Sequence, residues 1–468
     1  MPNIRRTKIL VTLGPSTDGK GILPRLVDAG IDAVRLNMSH GSFDDHARRV
    51  RAMRRLAAKA GRHIAVMVDL SGPKVRVGEL PADGLELHRG DAVRLVPGPG
   101  PLAAARPGKP IAIPVPVPGL LVQARRGSTF LLKDGLLRLR VARTGADGLL
   151  CEVEEGGVLR SRQGIALPGS RLPLPAITPK DRRDLRFGLS IGADVFALSF
   201  VRSARDVRRA IRLARGTPVL AKIERPEALE ELDEIIQACT GVIVARGDLG
   251  VELGPERVPL VQKEVLAAAN RRGRIAILAT QMLASMEESP IPTRAEATDV
   301  ANAVLDGADG LLLTGETAGG KHPVAATCVL GRIVDEVERS SVYRALPRPT
   351  LDVGECPEEA LATAAVDASR EQLMAALVVL SNTGHTAALV SDHRPAVPIV
   401  ALAYDAASAR RLALQWGVVP VVLPGKGRSV QASVAAARRV LGLRRPAWYG
   451  VLHGDPGGGA RHFTIAWG

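Results

Sequence analysis

The chain runs to 468 residues with 46% apolar but only 3% aromatic side chains, which allows two to four domains whose cores must be built from Val, Leu, Ile and Ala. A formal net charge of +15 would suit a polyanionic partner. However, the arginines are spread along helical stretches (Arg48, Arg49, Arg51, Arg54, Arg55) with no aromatic stacking platform, so small phosphorylated ligands are expected and nucleic acid is not. No run of 18 apolar residues appears, and residues 1–20 lack an apolar segment followed by a cleavage site, so the expectation is a cytoplasmic chain with no membrane partner.

Apolar, strand-like runs recur at 8–12, 33–39, 64–70, 194–200, 218–224, 241–247, 275–281 and 310–316. Near-continuous apolar runs fit strands covered on both faces, as in a parallel sheet. Helical patterns fall between them, at 23–29, 44–60, 179–189, 204–215, 226–238, 255–272 and 293–305. Several open on Pro, Ser, Thr or Asp and stop before a glycine such as Gly30, Gly61 or Gly192. The alternation predicts an α/β fold, a (β/α)8 TIM barrel. From residue 73 to about 168 the rhythm breaks. Only short strands are visible there (92–96, 130–132, 136–142, 148–154) among many Gly and Pro, which predicts a small inserted β-barrel domain.

Beyond Pro347 and Pro349 the pattern resumes with helix 357–374, strand 376–380, helix 385–392, strand 399–402, helix 406–416 and strand 418–422, a C-terminal α/β domain. The expected boundaries are 1–72 and 169–342 for the barrel, 73–168 for the insert and 343–468 for the last domain. Cys151, Cys239, Cys328 and Cys356 lie far apart with no CxxC spacing, and read as reduced structural thiols rather than zinc ligands.

In such a barrel the chemistry sits at the C-terminal ends of strands. Lys222 and Glu224 are two apart and share a face of one strand. Alone they suit a structural ion pair as well as a site. Asp248 follows Gly247 at the end of the next strand, and with it the set suits a divalent metal and an anionic substrate. Thr280 adds a hydroxyl. Arg35, Asn37 and Ser39 alternate on one face of the second strand, where Arg35 can fork a phosphate or close the rim as a salt bridge.

Arg35-Leu-Asn-Met-Ser-His-Gly41, Asp69-Leu-Ser-Gly-Pro-Lys-Val-Arg76, Lys222-Ile-Glu224, Ala245-Arg-Gly-Asp-Leu-Gly-Val-Glu252, Ala279-Thr-Gln-Met-Leu283, Pro292-Thr-Arg-Ala-Glu296 and Gly315-Glu-Thr-Ala318 resemble, in order, the signature segments of the pyruvate kinase family. The resemblance covers the whole chain and implies phosphoryl transfer from phosphoenolpyruvate to ADP, giving pyruvate and ATP in glycolysis. It implies that Glu224 and Asp248 hold Mg2+ or Mn2+ and that Lys222 meets the transferring phosphoryl group and the enolate oxygen. Arg35 would bind phosphate, and the Gly247 and Asp248 amides with Thr280 would seat the carboxylate. Thr280, or Thr314 through water, would deliver a proton. Thr12, Asn37, His40 and Arg76 would face the nucleotide, and the insert would close as a lid. A homotetramer is also implied.

Two departures from the family pattern matter. Asn37, Ser39, Asp69 and the Leu70 carbonyl match the family's monovalent-cation site, but Lys74 stands where potassium-dependent members have glutamate. Its ammonium would supply the positive charge that K+ otherwise brings, so activity without potassium is expected; the alternative is an ordinary surface lysine. In the lid, Gln163 replaces the usual phosphate-facing lysine, with Arg162 as a candidate substitute, while Asp134 keeps one acid of the usual pair. In the last domain, Ser381, Asn382, Thr383, Gly384 and Thr386 lie between a strand and a helix and suit a phosphate-bearing effector, a sugar phosphate or nucleotide, or else an ordinary helix cap. The stretch 454–459 would be a second effector loop or a flexible turn. Two other readings differ in kind: a metal-dependent aldolase or lyase of the phosphoenolpyruvate/pyruvate barrel class, which needs no ADP, and a non-enzymatic phosphometabolite sensor.

Overall fold

The computed structural model describes residues 4–100, 110–347, 349–352, 357–371, 373–381, 384–423, 429–454 and 461–468. Eight parallel strands close into a barrel: Lys8–Leu13, Ala33–Asn37, Ala65–Asp69, Val195–Leu198, Val219–Ile223, Gly241–Ala245, Ile275–Ala279 and Gly310–Leu313. Neighbours pair in chain order, and Val11 opposite Leu313 closes the ring. All but a few strand residues are buried, because helices cover the outside and side chains fill the inside. Helix starts are marked by hydroxyl caps. Ser42, Thr178, Ser203 and Thr293 each accept a hydrogen bond from the backbone three residues on.

Strand ends differ from the sequence reading in an instructive way. The expected strands reach 200, 224, 247, 281 and 316, but the ladders stop at Leu198, Ile223, Ala245, Ala279 and Leu313. Polar residues just beyond leave the sheet to build the barrel mouth. The expected helix at 226–238 is two, Pro226–Glu230 and Leu232–Ala238, broken at Glu231.

The insert forms a six-stranded sheet and a two-stranded ribbon around its own core of Phe130, Val93, Leu95, Leu139 and Val141. The C-terminal domain is a five-stranded sheet whose first four strands in space, Val418–Val422, Ile399–Ala403, Ala376–Leu380 and Trp448–Gly454, are parallel, with Arg461–Trp467 antiparallel at the edge. The last two strands and the helix Val430–Leu441 carried no expectation from the sequence pattern. No helix among the described residues is long and apolar enough to cross a membrane.

The C-terminal domain plugs the N-terminal end of the barrel. Its Leu414 joins the barrel-interior cluster with Leu10, Met67, Leu220 and Ile243. Around it, Lys8 Nζ donates to the Val418 carbonyl at 2.7 Å, Arg410 pairs with Asp194 at 2.9 Å, and Arg394 pairs with Asp309 at 2.7 Å.

Candidate active site

The opposite, C-terminal end of the barrel gathers the residues the sequence singled out. Lys222, near the end of the fifth strand, points inward. Its ammonium donates to Ser199 Oγ at 2.8 Å and lies 2.7 Å from Glu224 Oε1 and 3.5 Å from Asp69 Oδ2. Arg35 grips Asp69 with two nitrogens, Nε and Nη2, each 2.7 Å from Oδ2, and a third donates to Thr12 Oγ1 at 3.1 Å. Burial pushes the Asp69 carboxyl up, but the Lys222 and Arg35 cations outweigh it and hold Asp69 below the usual carboxylate range. Burial also opposes the Lys222 charge, and Asp69 with Glu224 overcomes it, so the ammonium keeps its proton more firmly than usual.

Glu224 is different. Its side chain is fully buried, and Oε2 accepts the Phe200 amide at 2.7 Å. Oε1 is ion-paired with the Lys222 ammonium at 2.7 Å. Burial raises its proton affinity, Lys222 only partly corrects this, and the charge of Asp248 raises it further. A fully buried carboxylate whose lysine only partly offsets burial, with the charge of a second carboxylate adding to it, fits the place of a further cation. Among the described residues no three His, Cys, Asp or Glu side chains group as metal ligands. The protein would therefore contribute two carboxylates, Glu224 and Asp248, and leave other positions open, as a magnesium-like ion requires.

Asp248 lies in the first turn of the helix Arg246–Leu253, which begins as the sixth strand ends. Gly247 N donates to Thr280 Oγ1 at 2.9 Å. Thr280 and Gln281 both adopt left-handed backbone (φ +70° and +53°), as does Phe200 (φ +55°). Non-glycine residues rarely hold this conformation, and here they cluster at one rim. Arg246 holds the turn in place, donating to the Thr280 carbonyl at 2.9 Å and the Gln281 carbonyl at 2.9 Å while pairing with Asp299 at 2.6 Å.

The remaining expected residues fall into two groups. Thr314 lies just past the eighth strand, where its amide donates to Glu316 at 2.7 Å. His40 stands near Arg76, Arg35 and Lys180; burial first, then those cations, hold its ring below its usual proton affinity. Asn37 Oδ1 accepts the Ser39 amide at 3.0 Å. Leu70 N donates to the Ala197 carbonyl at 3.0 Å. Arg76 donates to the Arg162 carbonyl at 2.9 Å.

Thr12 is buried beneath Arg35 and donates to the Leu313 carbonyl at 2.9 Å. Lys74 is not brought to the Asn37, Ser39 and Asp69 set. Its ammonium sits 2.7 Å from Asp248 and 3.1 Å from Asp134 of the insert, because the chain turns at Pro73 toward the insert. Arg162 does not take over from Gln163 at the site; it pairs with Glu79 on the insert, at 2.7 Å. Ser381 accepts the Gly384 amide at 3.0 Å, a cap within its own turn, whereas Asn382 and Thr383, residues 455–459 and Cys356 lie outside the described residues.

The sequence reading missed Ser199 and Lys180. Ser199 ties Lys222 to Asp69, its own hydroxyl 3.3 Å from Oδ1. Its place just past the end of the fourth strand was the available signal. Lys180 bridges the Met38 carbonyl to Asp184, the latter at 2.7 Å, and no local pattern announced it.

Two family models match the chain: one described as pyruvate kinase, barrel domain, over residues 4–327, and one described as pyruvate kinase, alpha/beta domain, over residues 359–458. A pyruvate kinase of Agrobacterium vitis is 41% identical over 90% of this chain and 88% of its own length. Pyruvate kinases of Methylorubrum extorquens and Mycobacterium tuberculosis are each 40% identical over 90% of this chain, and over 87% and 88% of their own lengths.

Proposed function

The chain belongs to the pyruvate kinase family, and from that premise we propose that it moves the phosphoryl group of phosphoenolpyruvate to ADP, yielding ATP and pyruvate. The enol P–O bond breaks, a bond to the terminal oxygen of ADP forms, and the released enolate takes one proton at carbon. The observation that carries this reading is the juxtaposition of the Lys222 ammonium, 2.7 Å from Glu224, with two carboxylates, the fully buried Glu224 and Asp248, at one barrel mouth.

In this reading Lys222 stabilises negative charge on the bridging oxygen as the P–O bond lengthens. Asp69 and Ser199 orient its ammonium. Arg35 binds a phosphate oxygen. The helix start at Gly247 and Asp248, with Thr280, seats the substrate carboxylate. Thr280, or Thr314 through water, hands the enolate its proton. Asn37, His40 and Arg76 face the nucleotide, Thr12 acts from beneath through Arg35, and the insert closes over the site to exclude water. Glu224 and Asp248 would hold the divalent cation, Mg2+ or Mn2+, which supplies charge neutralisation and a template for the phosphates.

Family membership is also the support for a glycolytic role in the cytoplasm, a homotetramer, and an effector phosphate at the Ser381–Thr386 turn. Activity without potassium has its own support. The Asp69 carboxylate is already engaged by two side-chain cations, Arg35 and Lys222, and Lys74 adds a third positive charge beside Asp248.

A lactate-dehydrogenase-coupled assay with phosphoenolpyruvate, ADP and Mg2+ tests the reaction. Lys222→Met is expected to lose about 10³-fold in kcat while Mn2+ binding, read by electron paramagnetic resonance, stays within about threefold of the parent. Pyruvate release that needs no ADP would replace this reading with the lyase. In buffer free of K+ and Na+, turnover is expected to persist at more than about half its value with potassium; a collapse would return the K+ requirement.

A further inference from the structure

At the N-terminal end of the barrel, away from the site just described, a cavity of about 690 Å3 opens between barrel and C-terminal domain. It is walled by the ends of the helices Val258–Arg271 and Arg294–Leu305, by residues 343–347, 349 and 350, and by the C-terminal domain. Five arginines line it: Arg6, Arg271, Arg344, Arg370 and Arg394. Asp306 is the one carboxylate among the described lining residues, and Lys263 and Gln262 already engage it.

The arginines are unevenly balanced. Arg394 pairs with Asp309 at 2.7 Å, yet its Nη1 is buried with no partner. Arg271 lies 3.8 Å from Asp352, with both side chains about half exposed, a contact of little strength. Arg6 donates to the Ala396 carbonyl, a neutral group. Neither Arg6 nor Arg344 has a carboxylate in ion-pair reach among the described residues. Arg6 and Arg394 also lie over the Trp416 ring, 5.7 and 4.6 Å from its centroid, which fixes their direction.

Cations crowded in a concave site repel one another unless an anion is shared between them. Guanidinium forks match the oxygens of phosphate in geometry and charge. Leu305, Leu346 and Pro349 give the same cavity an apolar wall for the body of a ligand. We propose that this cavity binds a small phosphate ester, its phosphate held by Arg6, Arg271 and Arg344. Because the walls come from both domains, the bound ester ties the C-terminal domain to the barrel. This is a separate place from the Ser381 turn, and it does not depend on the catalytic reading.

The test is calorimetric titration of the full-length protein with inorganic phosphate, a sugar monophosphate and a nucleoside monophosphate at low and raised salt. An ester is expected to bind more tightly than inorganic phosphate and more weakly as salt rises; the two ester arms separate sugar from nucleoside as the source. Made in a Ser381→Ala background, which removes any binding at the Ser381 turn, the combination of Arg271→Ser with Arg344→Ser, both exposed side chains, is expected to raise the Kd about tenfold. Arg344→Ser alone, with an unchanged melting temperature, serves if the double variant does not fold. Unchanged affinity in the arginine variants overturns the proposal, as does no binding of either ester once Ser381→Ala has removed the Ser381 turn. A change of oligomeric state in the arginine variants with ester affinity intact also overturns it, since those arginines would then face a second copy of the chain.

Discussion

Both ends of the barrel bury charge, but they treat it differently. At the N-terminal end each strand-start charge meets a partner. Asp194 takes Arg54 at 2.6 Å, Arg410 at 2.9 Å and the Val66 amide at 2.8 Å. Lys8 donates to a carbonyl and lies 3.8 Å from Asp32, and Asp309 accepts the Ala276 amide at 2.7 Å besides Arg394. Leu414 seals the interior there, and left-handed non-glycine backbone occurs at Arg215 and Arg394 (φ +50° each). At the C-terminal end, Lys222 only partly offsets the burial of Glu224, whose proton affinity stays raised, and three non-glycine residues adopt left-handed backbone. Burial and left-handed backbone therefore do not by themselves mark a site; the mouth differs in gathering three carboxylates, Asp69, Glu224 and Asp248, around the one Lys222 ammonium.

The largest test of that contrast is Glu224→Gln. It is expected to lower kcat/KM about 10³-fold, roughly 4 kcal/mol of transition-state stabilisation. Its melting temperature in chelator should fall little, because burial already disfavours the parent's charge and Lys222 offsets that only in part. A large fall in stability would show that Glu224 serves the fold as Asp194 does.

Asp194→Asn should do the reverse. It leaves Arg54 and Arg410 with a neutral partner, at a cost of about 3 kcal/mol in chemical denaturation, while kcat/KM stays near the parent value. A variant as stable as the parent would mean that the plug contact is worth little.

A smaller, pH-dependent effect is expected at Glu252, on the active-site side. Its side chain is enclosed near Arg225 and Glu227, and burial outweighs the Arg225 cation, pushing the carboxyl up to about 7. A carboxyl raised in the folded state binds a proton that the unfolded chain has released. Its contribution to stability is therefore fully present below the ordinary carboxylate range and is lost as pH climbs toward 7. The melting-temperature advantage of Glu252→Gln over the parent should widen between about pH 4.5 and 7 and stay level above. A constant difference across that range would show that the Arg225 pair keeps Glu252 ionised.

The sequence by itself determined the eight-strand barrel, the β insert and the α/β third domain, because apolar runs buried on both faces, capped helices and Gly- or Pro-rich breaks are local signals. It also placed the charged and hydroxyl groups of the mouth, since Lys222, Glu224, Asp248 and Thr280 each lie within three residues of a strand end. Only the tertiary structure decided which of these groups meet. Ser199 reaching Lys222, Lys74 turning to Asp248 and Asp134 rather than to Asp69, and Arg162 pairing with Glu79 depend on contacts 23 to 174 residues apart in the chain. The arginine cavity is of the same kind: its members come from residues 6 to 416 and form no pattern along the chain. Periodicity reports which face of an element is buried. The direction of a long cationic side chain is set by whichever carboxylate folding brings within reach, and no local pattern records that.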